Sequence, residues 1–105
     1  MTLTAHKAFV AMFYALDAAY DDNHDRDLGS FLSAANPFLF KGEGSADVAV
    51  YDEFRCEYNL QYPEGAKPEE ARLFVRGFLD AKSDKLVRFF DGVANASSWA
   101  DAVSQ

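Results

Sequence analysis

"TAHKAFVAMFYALDAAYDD" (Thr4–Asp22) decides the class of fold. Phe9, Met12, Phe13, Leu16 and Tyr20 recur at intervals of three and four residues. That spacing stacks them on one face of an α-helix, whereas a strand would need alternation with period two. The stretch predicts a first helix from Thr4 to Asp22.

Working outward, the same period returns along the chain. Asp25 or Asp27 is a candidate N-cap for a second helix lined by Leu28, Phe31, Leu32 and Ala35. Asn36-Pro37 stops it, because proline drives the preceding residue out of the helical region. "SADVAVYDEF" (45–54) opens a third helix with Ser45 as N-cap and Asp47 in its first turn. Val48, Tyr51, Phe54, Arg55, Tyr58 and Tyr62 fall on one side of it, and Ala49, Cys56 and Leu60 nearly opposite. A helix apolar on two sides is expected to be central. Within it, "DVAVY" is the nearest the chain comes to a strand pattern.

"YPEGAKP" (62–68) is a turn by composition, and Pro68-Glu69-Glu70 is a helix start with acids at the positive end of the dipole. Ala71, Phe74, Val75, Phe78 and Leu79 line a fourth helix. After Ser83-Asp84, Leu86, Val87, Phe89, Phe90 and Val93 line a fifth. Ser97 or Ser98 caps a last short helix carrying Trp99 and Val103. With ten Phe, five Tyr and one Trp in 105 residues, and each ring able to bury ~150–250 Å², the expectation over 1–105 is all-α. It is a single compact domain of five to six short helices around an aromatic-rich core.

The chemistry is sparser. "YDDNHDRDLG" (20–29) alternates acids as a calcium loop does. Counted from Asp21, however, Arg26 stands where the loop needs glycine, and Leu32 where it needs a bidentate glutamate. The acids read instead as helix caps. His6 and His24 sit at opposite ends of the first helix, roughly 25 Å apart at 1.5 Å per residue, too far to share a metal. Cys56 is the only cysteine, flanked along its helix by Asp52, Glu53 and Glu57. Those acids oppose a thiolate, and Cys56 reads as a small core residue. No Gly-x-Ser-x-Gly elbow or phosphate-binding glycine loop is present. Glu69, Arg72, Arg76 and Asp80 form a ladder of i, i+3 and i+4 pairs on a solvent face. The expectation is a protein that is not an enzyme and carries no cofactor or metal.

Charge is unevenly spread. The net −7 falls wholly in residues 1–64, while residues 65–105 balance. Such a field disfavours nucleic acid and suits a basic protein partner. No apolar run approaches the ~18 residues of a membrane span and no opening segment reads as a signal peptide, so the expected location is cytoplasmic and off the membrane. In "NPFLFKGEG" (36–44), three bulky apolar residues meet in a connector, where they either fold over the core or stay exposed as an anchor. Phe38, Leu39, Phe40, Glu43 and Tyr51 are the candidate partner-binding residues. The functional expectation is a helical protein–protein interaction module binding a basic partner, as immunity or antitoxin proteins do by class-level analogy, or associating with itself. The alternative is a small-molecule or metal-binding helical domain without catalysis.

Overall fold

The computed structural model describes residues 2–39 and 44–103. Helix α1 runs Ala5–Asn23, α2 Arg26–Ala35, α3 Val48–Gln61, α4 Pro68–Lys82, α5 Asp84–Val93 and α6 Ala96–Val103, with a 3₁₀ turn at Pro37–Leu39. Among the described residues, the expected all-α fold is therefore present as six helices.

Local chemistry sets the helix ends. Thr4 Oγ1 accepts the Lys7 N–H at 3.1 Å and starts α1. His24 ends it in the left-handed region at φ 51°, donating its N–H to the Tyr20 carbonyl at 2.8 Å. One residue later Asp25 starts α2, its Oδ1 accepting from Asp27 N–H at 3.0 Å and Leu28 N–H at 3.1 Å. At α3 the cap differs from the expected Ser45. Asp47 Oδ1 accepts the Ala49 N–H at 3.1 Å. Ser45 is fully buried upstream, its hydroxyl donating to the Asp47 carbonyl and accepting the Tyr51 N–H at 3.1 Å. At α4, Pro68 takes the first position and Glu70 Oε1 accepts the Lys67 N–H at 2.9 Å.

The central helix is α1, which touches α2, α3, α4, α5 and α6. It buries Ala5, Ala8, Phe9, Ala11, Met12, Phe13, Ala15, Leu16 and Ala19; its alanines let neighbours approach where its rings do not fill space. This corrects the assignment of the centre to α3. Only Tyr51, Phe54 and Tyr58 of α3 are buried, on the face toward α1 and α4, while Cys56 is exposed and Leu60 is 86% exposed.

Rings from three helices form the core. Phe54 meets Phe9 at 5.2 Å, Phe74 at 5.2 Å and Phe78 at 5.0 Å, all edge to face, and stacks on Tyr58 at 5.7 Å. Such pairs contribute about 0.5–1.5 kcal/mol each beyond the area they bury. At the far side Trp99 of α6 is 1% exposed, lies against Phe90 at 5.6 Å, and donates its indole N–H to the Pro68 carbonyl at 2.7 Å.

A non-helical contact closes the assembly. Leu3 and Ala66 exchange backbone hydrogen bonds of 2.7 and 3.1 Å in an antiparallel bridge. Gly65 enters it at φ 90°, a region open to glycine but strained for other residues. Among the described residues, no helix is long and apolar enough to cross a membrane.

Candidate partner-binding surface

The connector residue Phe38 both folds over the core and remains open. Its N–H donates to Asn36 Oδ1 at 2.9 Å, an Asx turn that aims the chain back across α1. There its ring meets Phe13 at 5.6 Å, edge on, and Tyr14 at 5.6 Å, tilted. Phe13 is 8% exposed and belongs to the core; Phe38 and Tyr14 are 54% and 56% exposed. Two half-open rings supported by a buried third thus form a ridge on α1.

Of the other residues nominated from sequence, Phe40, Glu43 and the Leu39 side chain lie outside the described residues. Tyr51 is 4% exposed, with its ring 5.1 Å from Phe9 and 6.1 Å from His6. It belongs to the core and offers no ring to a partner. Tyr14 was not singled out by the sequence reading. Its signal was available, since it lies off the Phe9–Met12–Phe13–Leu16–Tyr20 stripe, where a large aromatic must face solvent or a neighbour.

Two depressions flank the ridge. One is an apolar notch of about 210 Å³, bounded by Tyr14, Ala15 and Ala18 of α1 and by Val93, Ala94 and Trp99 of the α5–α6 corner. The other is a wider, mixed cleft of about 510 Å³ between α1 and α2, where Phe13, Asp17, Tyr20, Arg26, Ser33 and Asn36 meet. Its floor depends on Gly29, over which the Tyr20 ring lies so closely that a Cβ there would stand 3.0 Å from the ring.

The charges sort into paired and unpaired. Lys85 of α5 reaches Asp25 at 2.8 Å and Asp27 at 3.2 Å, and Lys82 of α4 reaches Glu53 at 3.1 Å. Basic side chains from the balanced part of the chain thus offset acids of the acidic part. The hydrogen bond from Lys85, helped by the Leu28 N–H, holds the Asp25 carboxyl below its ordinary range, and Lys85 is raised in turn. Asp25 is therefore the α2 cap, with Asp27 in the first turn, as expected once the calcium frame fails; their ion pairs with Lys85 were not foreseen from sequence. Among the described residues, no group of three or more His, Cys, Asp or Glu is placed to hold a metal ion.

On α1 itself, Asp17, Asp21 and Asp22 are exposed and have no ion-pair partner among the described residues. They continue the helix surface that begins at Tyr14, three, seven and eight residues on, within roughly 12 Å along the axis. An aromatic ridge and an uncompensated acidic strip share one helix.

The outer face of α4 and α5 differs. A cleft of about 420 Å³ there is lined by Leu73 and by the charged Arg76, Asp80, Asp84, Arg88 and Asp91. Arg76 was expected to pair within its own helix with Asp80. Instead it makes a two-pronged bridge to Asp91 of α5 at 2.6 and 2.9 Å, which draws Asp91 down and Arg76 up in pKa. Arg72 does pair within α4, with Glu69. The charges lining this cleft largely satisfy one another.

Comparison with protein-family models, curated proteins and solved structures finds no match for this chain.

Proposed function

We propose that the protein is a non-catalytic helical interaction module that binds a basic protein partner through the Tyr14–Phe38 ridge and the acidic strip of α1. The observation that carries this reading is the placement of two half-exposed rings beside three carboxylates that have no partner within the described chain. Half-buried aromatics backed by a rigid core suit a binding anchor, because their ordering is already met in the free protein. Unpaired carboxylates around them favour approach of a cationic surface and disfavour an acidic one. A second copy of a chain with net charge −7 would meet like charge along this helix, so a foreign partner fits better than self-association.

The test is affinity capture with the full chain under native conditions. A single stoichiometric basic protein should be retained, released by rising salt, and weakened at least tenfold by Phe38→Ala or Tyr14→Ala. Recovery of the chain alone, or of a partner indifferent to both substitutions, rejects the reading.

The α1–α2 cleft supports a second reading, a small-molecule site, because it joins apolar rings to Asp17, Arg26, Ser33 and Asn36. A rise in melting temperature with a polar aromatic ligand, abolished by Arg26→Ala, would favour it. No shift across a broad panel would remove it.

A further inference from the structure

Resting on the interaction reading, we infer that the apolar notch beside Tyr14 is the socket for one large apolar side chain of the partner, presented on a basic helical segment. The notch is a built feature of the fold. Ala15 and Ala18 leave the α1 surface low, whereas the Tyr14 ring, Val93 and the buried Trp99 stand around it. Ser98 closes the corner below, its hydroxyl donating to the Val93 carbonyl at 2.7 Å and so holding the end of α5 against α6. The volume of about 210 Å³ is of the order of one large apolar side chain.

Charge complementarity names the occupant. Asp21 and Asp22 stand three and four residues beyond Ala18, which places them one turn along α1 on the notch side. Lys7 lies seven residues before Tyr14, two turns away in the other direction. The potential along α1 therefore runs from positive at its start to negative at its end. A helical segment whose phenylalanine or leucine fills the notch would set a lysine or arginine one turn away against Asp21 and Asp22. Its basic end would point toward the α1–α2 junction. An acidic or uncharged segment would gain the apolar contact without the steering.

The probe is a helical peptide of alanine and lysine carrying one central phenylalanine, compared with the same peptide bearing alanine there. Titrated into the full chain, the phenylalanine peptide is expected to bind about tenfold or more tighter, as burial of one such side chain implies. Amide resonances of Ala18, Val93 and Trp99 should move. Ala18→Trp, at an exposed position, should fill the notch and erase the difference between the peptides. Asp22→Lys should weaken both peptides and flatten their salt dependence. Equal affinity of the two peptides, or binding of neither, overturns the socket. It is overturned equally if the same resonances move with protein concentration alone, since the occupant is then a second copy. The interaction reading is judged separately by native capture and the Phe38 variant, whose ring does not line the notch, so a socket that fails leaves it standing, and the reverse result is distinguishable.

Discussion

Tyr58 Oη donates to the Leu3 carbonyl at 2.7 Å across 55 residues of sequence. The same carbonyl accepts the Ala66 N–H at 3.1 Å, so a phenol on α3 and a backbone amide before α4 converge on one acceptor. Tyr58 is fully buried, and burial pushes its phenol up to about 12. Tyr58→Phe should cost about 0.5–1.5 kcal/mol, the range for losing a buried hydrogen bond while the acceptor keeps a second donor. Urea denaturation read by circular dichroism checks it, and an unchanged m-value would show that the fold is retained.

The same phenol predicts an alkaline limit. Its pKa is higher in the folded chain than in the unfolded one, so the unfolded state releases its proton first. Stability is full below the unfolded value near 10 and falls as pH rises toward about 12. Tyr58→Phe should flatten that slope in a pH series of denaturation midpoints. An identical slope in the variant would assign the alkaline loss to other groups.

At the acid end the sign reverses. Asp25 is held below its ordinary range by Lys85, so its contribution is present above the unfolded carboxylate value and is lost as pH falls through the folded one. Asp25→Ala removes both the α2 cap and the ion pair, and should lower the melting temperature by about 5 °C. Asp25→Ser keeps a capping oxygen and loses only the charge. It should recover part of the melting temperature at neutral pH while showing a shallower acid slope.

The rings around Phe54 should behave as one unit. Phe54 is fully buried and touches Phe9, Tyr58, Phe74 and Phe78. Phe54→Ala should cost about 3–5 kcal/mol, combining lost transfer free energy with a cavity that four aromatic neighbours cannot easily close. A cost below about 1.5 kcal/mol would mean that the cluster repacks, and near-ultraviolet circular dichroism would record it.

Two glycines should respond with opposite signs. Gly77 lies in α4, where an added Cβ would meet nothing within 4 Å. Gly77→Ala should stabilise by about 0.5–1 kcal/mol through helix propensity alone. Gly65 sits at φ 90°, and a Cβ there would stand 3.0 Å from the Leu3 carbonyl oxygen. Gly65→Ala should destabilise by about 1–3 kcal/mol, and amide exchange should locate the loss at the Leu3–Ala66 bridge.

What could be read from the chain, and what could not, follows the range of each interaction. Helix α1 and the α2 cap are local matters, decided within about four residues: the pattern of Phe9, Met12, Phe13 and Leu16 carried the first, and the acids before Leu28 narrowed the second to Asp25 or Asp27. The outer face of α3 was harder. Cys56 and Leu60 are apolar by type, yet they face solvent because the rings of α1 and α4 pack against the other side of α3. Arg76 has a carboxylate four residues away in its own helix and a better-placed one in the next, and sequence spacing shows only the first. The Leu3–Ala66 bridge and the Tyr58 bond join segments with no shared periodicity. At the proposed surface, Phe38 is legible because an apolar residue in a connector is conspicuous. Tyr14 was hidden among the apolar residues of a helix that is mostly core.

One consequence of the α6 arrangement is spectroscopic. The chain has one tryptophan, and it sits at the seam where α6 meets α4 and α5, with its ring shielded and its N–H engaged. Indole emission is therefore a single-site signal. Detachment of α6 would shift it to the red while the other five helices could still hold their circular dichroism. The molecule carries its own reporter of whether its last helix is docked.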